Sequence, residues 1–396
     1  MPQIRAVMLS EASSAKFRQF SYIFPRRFGV NFSQSGGRIH LFGAPKVGKT
    51  CIALNYAKSF KNPFYIDFCD IRNSIDDIKN ALLKISMEKK VDILILDNFP
   101  LDFTLPNVRQ IITIGELPNP DTSVISRPIL PLSFEEFIGF DNSNQEITQL
   151  LDSFLKHGNL PPMLYIKDSF KISHKQEMLL NIFKDELPLF SLIASFQGRA
   201  ISINQIYLSA KKKCKISKDK LYGFIKSLEN RGIIHLVPHI ETTEKALMNV
   251  ENGANLLESS EKIKLNLLNI KPKLTQKSLP KKLFLWDFSL KNAISYEKNL
   301  MAVLENMLFL ELLGENKPIF YSDKINLICG ENGYILAPFK TLESIRENLQ
   351  AIAKSDLNFC GLNIIVITFE LEGEININGT KILIRNFINF ALDEIF

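Results

Sequence analysis

The segment Gly43–Thr50 reads GAPKVGKT and fits the pattern G-x-x-x-x-G-K-[ST]. Ahead of it, Arg38–Phe42 (RIHLF) is a short apolar run with strand character. Behind it, in CIALNYAKSF, Ile52, Leu54, Ala57 and Phe60 recur at helical spacing. A glycine-rich turn between a strand and a helix aims successive backbone N–H groups at one point, and the helix dipole adds to them. The expected ligand is a polyphosphate. Gly43, Ala44, Pro45, Lys46, Val47 and Gly48 would form the cradle, Lys49 would reach the β- and γ-phosphates, and Thr50 would ligate Mg2+. Cys51 completes the expected nucleotide-contacting set.

Working outward, FYIDF (Phe64–Phe68) reads as a second strand and Ser74–Ile85 as the helix after it, with Ser74 as N-cap and Asp76 and Asp77 in the first turn. The run VDILILDNF is a fully apolar strand that ends in Asp97. An acid at the end of such a strand can orient the hydration shell of Mg2+, or it can merely end the strand. VRQIITIG (Val108–Gly115) is the next expected strand, with Thr113 near its carboxyl end. Ligands of α/β sheets gather at that end, so Thr113 is read either as a γ-phosphate sensor or as an ordinary strand-end threonine. Asn98 follows Asp97, at a position where many P-loop ATPases carry Glu. An amide can hold a water but cannot take its proton, so hydrolysis should be slow, absent, or dependent on an acid from elsewhere, such as Glu116 or a neighbouring subunit. No N-K-x-D segment accompanies the loop, which leaves ATP favoured over GTP.

A chain of 396 residues, 46% of them hydrophobic, can bury substantial cores in two or three domains. The net charge is +6, and its location matters more than its size. Residues 211–231 hold eight Lys/Arg against Asp219 and Glu229, a surplus equal to that of the whole chain. The five cysteines (Cys51, Cys69, Cys214, Cys329 and Cys360) lie far apart with no C-x-x-C pair, which argues against a zinc site or a disulfide framework. No apolar run approaches the 18 or so residues of a membrane span, and the expectation is a cytoplasmic protein with no membrane partner.

GAPKVGKT, LILDN and SRPILPLSFEEF (Ser126–Phe137) together resemble a family of prokaryotic AAA/STAND-type P-loop ATPases. Its members add a helical segment, a winged helix and a C-terminal restriction-endonuclease-like domain. Arg127 matches the family's arginine, and Leu130, Pro131, Leu132, Ser133, Phe134, Glu136 and Phe137 match its L-P-L-S-F-x-E-F motif. HGNLPP (His157–Pro162) resembles its later G-G-F-P turn, with Asn159 and Leu160 departing from it. The resemblance implies that Arg127 could act as an arginine finger, and a surface or interface salt bridge is the alternative. Where the family continues Gly-Ser-Ser-like after its sensor, this chain has Ile114, Gly115 and Glu116.

From Glu186 to His239 the pattern resembles a winged helix. Leu189, Leu192, Ile193 and Phe196 mark one helix and Ile201–Ala210 a second. Leu221, Phe224, Ile225 and Leu228 mark a third behind Ser217, and IIHLVP reads as a wing strand. Lys218, Lys220, Tyr222 and Lys226 would lie on the solvent face of the third helix, suited to nucleic-acid phosphates or simply solvated. Residues 241–280 read as an elaborated wing and a linker. KLFLWDFSLKNAI (Lys282–Ile294) resembles the family's strand followed by D-x-G-L, with Ser289 in the glycine position. YEKNLMAVLENMLFLELL reads as an amphipathic helix whose Glu305–Asn306 matches the family's E-N pair. The acids expected on the next strands are replaced by Ile325–Cys329 and by Pro338–Phe339–Lys340, so Glu305 and Lys340 alone remain and nuclease activity is not expected. Glu305 should then be a helix-surface or hydrogen-bonding residue.

The expected architecture is α/β: a P-loop NTPase core with a parallel sheet (1–140), a helical segment (141–185), a winged helix (186–240), the elaborated wing and linker (241–280), and a smaller restriction-endonuclease-like domain (281–396). The expected activity is that of an ATP-binding, nucleotide-gated switch or slow ATPase using Mg2+. The alternatives are a DNA-associated ATPase binding through residues 211–231 and a non-hydrolysing scaffold. A homo-oligomer or a protein partner is the remaining partner expectation.

Overall fold

The computed structural model describes residues 2–19, 37–140, 145–240, 280–354 and 362–392. The chain divides into two units, the first being Met1–Leu132 with Leu160–Leu164 and Asn230–Gly232.

In the first unit, β1 (Arg38–Phe42), β2 (Pro63–Asp67), β3 (Ile93–Asp97), β4 (Gln110–Ile114) and β5 (Ile125–Pro128) form one sheet in the order β2-β3-β4-β1-β5. Every pairing in it is parallel. β3 is buried at all five positions, which its unbroken apolar sequence demands of a central strand covered on both faces. Helix α1 (Pro2–Gln19) contributes Ser13, whose hydroxyl accepts the Tyr65 N–H at 2.9 Å and so blunts the open side of edge strand β2. Helix α2 (Lys49–Ala57) follows β1, and Ile52, Ala53, Leu54 and Ala57 are its buried residues. Phe60, which the sequence spacing assigns to that face, lies in the turn beyond the helix. Helix α3 (Ile75–Glu88) starts at Ser74 in a full capping box with Asp77. Its Ile78, Leu82 and Ile85 pack with Ile66, Leu94, Leu96 and Phe99, each such side chain contributing about 1.5–3 kcal/mol on burial.

The second unit comprises Ser133–Asn159, Tyr165–Glu229 and Ile233–Phe396. Helices α4 (Phe134–Gly139), α5 (Ile147–His157), α6 (Asp168–Phe183) and α7 (Leu187–Ala194) come first, then α8 (Ile203–Lys213) and α9 (Lys218–Asn230). Leu221, Phe224, Ile225 and Leu228 are the buried face of α9, as its i, i+3, i+4, i+7 spacing requires. A three-stranded sheet in the order β6-β8-β7 joins β6 (Ala200–Ile201), β7 (Ile234–Pro238) and β8 (Lys281–Leu285), all antiparallel. β8, placed by sequence at the head of the last segment, therefore pairs with strands that lie more than 40 residues earlier. The wing and linker expected over 241–280 fall outside the described residues apart from Pro280.

After α10 (Lys291–Ile294) and α11 (Leu300–Leu313), a six-stranded mixed sheet runs β13-β14-β12-β11-β10-β9. Its strands are β9 (Ile319–Phe320), β10 (Leu327–Cys329), β11 (Asn332–Leu336), β12 (Asn363–Thr368), β13 (Gly373–Ile377) and β14 (Thr380–Asn386). Helix α12 (Leu342–Lys354) sets Ile345, Leu349 and Ile352 against it. Helix α13 (Phe387–Leu392) follows β14. α11 is buried from Ala302 through Phe309, so it is a core helix covered on all sides rather than the amphipathic one expected.

The family-like motifs of this unit are packing devices. Ser133 and Glu136 form a capping box on α4, and Phe134 and Phe137 meet Phe154 with ring centroids at 5.3 and 5.0 Å. Asn306 accepts the Leu285 N–H at 2.8 Å and donates to the Leu285 carbonyl at 2.9 Å, mimicking a strand neighbour. Glu305 accepts from Lys282 Nζ at 2.6 Å and from Asn326 Nδ2 at 3.0 Å, so it is buried and paired rather than on the helix surface. Lys340 is exposed.

Glu311 of α11 accepts the Phe134 N–H at 2.8 Å. Burial raises its carboxyl from 4.5 to about 8; the Phe134 hydrogen bond opposes that shift and Glu136 and Glu135 add to it. With the folded value above the unfolded one, the stabilisation is complete below pH 4.5 and is lost as pH rises through about 8. The unfolding free energy of this unit should therefore fall between those limits by up to about 1.4 kcal/mol per pH unit. Glu311→Gln keeps the acceptor and should flatten that slope in urea titrations run across the range.

Candidate functional site

The loop after β1 turns on two glycines. Gly43 has φ +137°, and a Cβ there would meet the Ile129 carbonyl oxygen at 2.5 Å. Gly48, at φ 97°, is the N-cap of α2, and its carbonyl accepts from Ile52 N at 3.1 Å. Lys46 also takes a left-handed backbone, at φ 66°. The first N–H groups of α2 have no intrahelical acceptor, so the turn presents donors where an anion would sit.

Lys49 folds back over this loop and donates to the carbonyls of Gly43 and Ala44, both at 2.7 Å. Burial pushes its ammonium down to about 8, while the charges of Glu116 and Asp97 pull the other way. A largely desolvated cation held by carbonyl dipoles is the partner that a polyphosphate would satisfy.

Thr50 Oγ1 donates to Asp97 Oδ2 at 2.7 Å. With its proton directed at the carboxylate, the hydroxyl keeps its lone pairs for a metal ion. Tyr65 donates to the same oxygen at 2.8 Å, and the Asn98 N–H donates to Oδ1 at 3.0 Å. Burial, then the charges of Asp97 and Asp67, drive the Tyr65 phenol upward, so it serves as a neutral donor. Asp97 is thus oriented from three sides beside Thr50, and these residues fit one Mg2+ with its hydration shell.

Thr113 lies buried one strand away, within 2.7 Å of His40 Nδ1. His40 Nε2 lies 2.8 Å from the Leu117 carbonyl, which can only accept. Burial lowers the imidazole pKa, so the neutral ring donates from Nε2 and Thr113 donates its hydroxyl to Nδ1. Arg127 is exposed on edge strand β5, and no ion pair or hydrogen bond of its side chain is present among the described residues. Asn98, at φ 51°, donates from Nδ2 to Asp67 Oδ1 at 2.8 Å.

Glu116, which the sequence offers as a source of a missing acid, forms an ion pair with Arg231. Both belong to the first unit, although 115 positions separate them. By sequence, Arg231 stands out only as a member of the basic stretch 211–231. The clue to its separate role is local: Asn230-Arg231-Gly232 ends α9, and Gly232 needs φ 67° to leave the helix.

No family model matches this chain. Among curated proteins it is similar to an uncharacterized protein of Methanocaldococcus jannaschii, 27% identical over 393 positions that cover 84% of this chain and 82% of that one. Among solved structures it is similar to a Signal Transduction ATPase with Numerous Domains (STAND) protein with a tetratricopeptide repeat sensor from Pyrococcus horikoshii. That likeness has a TM-score of 0.28 and 15% identity, over 55% of this chain and 41% of that one. It is also similar to the Aeropyrum pernix ORC1 protein in complex with DNA, with a TM-score of 0.29 and 12% identity, over 72% of this chain and 92% of that one. The present chain spans about two fifths of the STAND protein it matches. No described helix is long and apolar enough to cross a membrane.

Proposed function

We propose that the first unit binds Mg2+-ATP and that the protein works as a nucleotide-gated switch with slow turnover. The carrying observation is the Thr50–Asp97 hydrogen bond at 2.7 Å beside a glycine loop that already holds the Lys49 ammonium. The backbone from Gly43 to Gly48 cradles the phosphates, Lys49 neutralises them, and Thr50 and Asp97 hold the metal. Held by Thr50 and Asp97, a bound Mg2+ would supply neutralisation of the phosphate charge. Thr113 would act as a sensor by turning its hydroxyl from His40 to the γ-phosphate, and Arg127 as a finger from its exposed edge. The Glu116–Arg231 ion pair supplies a route for gating: a bound triphosphate competes with Glu116 for the guanidinium, and Arg231 continues directly from α9. Titration calorimetry of the full chain with Mg2+-ATP and Mg2+-ADP, with phosphate release followed in the same samples, tests this reading. Tight binding with slow release supports it, brisk release restores an ordinary ATPase, and no binding leaves a scaffold.

We read α7, α8 and α9 with the sheet β6-β8-β7 as a winged helix, and the unit's last sheet as a nuclease-like fold whose Glu305 has become structural through Lys282. A second reading, a DNA-associated ATPase, is favoured by the exposure of Lys211, Lys212, Lys213, Lys218, Lys220 and Lys226. It predicts duplex affinity that drops steeply with salt. Neutralising Lys218, Lys220 and Lys226 should make the log–log slope shallower by about 0.9 for each DNA phosphate that then goes unneutralised. Binding that ignores salt, or no binding, removes this reading.

A further inference from the structure

The nucleotide reading leaves the attacking water without a carboxylate, because Asn98 stands where an acid is expected. β2 and β3 pair in parallel with Asp67 level with Asp97 at the carboxyl edge of the sheet. Asp67 is two residues beyond Tyr65, hence on the same face, and the Tyr65 hydroxyl already reaches Asp97 Oδ2, where Thr50 also binds. The left-handed backbone of Asn98 turns its amide across to β2, where it donates to Asp67 Oδ1 at 2.8 Å. The Cys69 N–H donates to that same oxygen at 2.9 Å. Both donors thus fix one oxygen of a half-exposed carboxylate, and among the described residues Oδ2 receives no hydrogen bond.

The other acids nearby are committed. Glu116 pairs with Arg231, Asp70 pairs with Arg72 at 2.6 Å, and Asp97 is held by Thr50 and Tyr65. No cation pairs with Asp67 among the described residues.

Resting on the reading that this unit binds Mg2+-ATP, we propose that Asp67 is the carboxylate that holds and deprotonates the attacking water, with Asn98 as its positioning residue. A lone pair of the water oxygen forms the new bond to the γ-phosphorus. The bond from that phosphorus to the β–γ bridging oxygen breaks, and its electron pair leaves on ADP. The water proton passes to Asp67 Oδ2 and then to solvent. The Asn98–Asp67 pair thereby does across two strands what a glutamate at position 98 would do alone.

The test compares the full-length wild type, Asp67→Asn and Asp67→Asn/Asn98→Glu, with ATP affinity read by calorimetry and phosphate release by single turnover. Asp67→Asn retains the oxygen that Asn98 and Cys69 bind, so the fold and the ATP affinity should hold. Phosphate release should slow about 100-fold or more, the range over which a positioned base contributes. Asn98→Glu added to Asp67→Asn returns a carboxylate to the site and should recover about tenfold or more of the missing rate. Release by Asp67→Asn at the wild-type rate, or a double variant as slow as Asp67→Asn, overturns the assignment while ATP binding stands. Wild type that binds ATP yet releases no phosphate overturns it as well. Wild type that binds no ATP takes down the nucleotide reading and this assignment together.

Discussion

Replacing Lys49 by alanine is expected to weaken Mg2+-ATP binding by about 100-fold while leaving the first unit at least as stable as before. The half-buried ammonium rests on the carbonyls of Gly43 and Ala44, and no carboxylate pairs with it among the described residues. Charge-assisted hydrogen bonds to an anion are worth about 1.5–3 kcal/mol each, and every 1.4 kcal/mol is about a factor of ten in affinity. In the nucleotide-free protein the same ammonium is a desolvated charge, and its removal relieves a burial penalty. Calorimetry should therefore show the weaker binding, and a thermal melt without nucleotide should show no drop. An affinity within about threefold of wild type would move the phosphate away from this loop.

Replacing Lys175 by alanine should cost the second unit about 3–5 kcal/mol. Lys175 is buried on α6 and donates to the His157 carbonyl at 2.6 Å, to Asp287 Oδ2 at 2.8 Å and to Ser289 Oγ. Asp287 is fully buried, and its other oxygen accepts from the Ser289 N–H at 2.9 Å. Burial lowers the Lys175 pKa, and the Asp287 charge opposes that shift. Without the ammonium, Asp287 becomes an uncompensated buried charge. Gly158 closes the cluster at φ 76°, where a Cβ would run into Asp287 Oδ1 and Ser289 Oγ. Trp286, the one tryptophan of the chain, is buried beside Asp287 and reports the unfolding transition directly. Lys175→Met with Asp287→Leu removes both charges and should recover much of the stability, because an apolar pair replaces an ionic one at little cost. A single variant within about 1 kcal/mol of wild type would mean that solvent reaches this cluster.

How local a feature is decides whether the sequence discloses it. β1 to β4, the Ser74 cap and the buried face of α9 depend on neighbours within a turn or a strand, and periodicity or a capping residue marks them. The family-like motifs are visible in the sequence too, but their work is not. Phe134, Phe137 and the Ser133 cap pack and close a helix, while Ser289, which replaces a family glycine, bonds both Asp287 and Lys175. Pairings across long chain separations leave no local trace: β8 with β7 and β6, Arg231 with Glu116, and Lys175 with Asp287. α11 reads as amphipathic because its glutamates and Asn306 look like a solvent face. In the structure Glu305 and Asn306 are buried, Glu311 is half-buried, and each binds a partner from another segment. Asp67 does not stand out in the sequence because its significance depends on strand order, which places β2 beside β3.

The first unit takes in Asn230–Gly232, a tripeptide flanked on both sides by residues of the second. Its heredity follows from that. A gene fragment ending at codon 132 would encode the whole parallel sheet yet leave Glu116 without the guanidinium it pairs with. Recombination can shuffle modules that are contiguous in the genome, but this one is stitched from three separate stretches. The first unit should therefore descend with the rest of the chain, intact, and not circulate as a cassette.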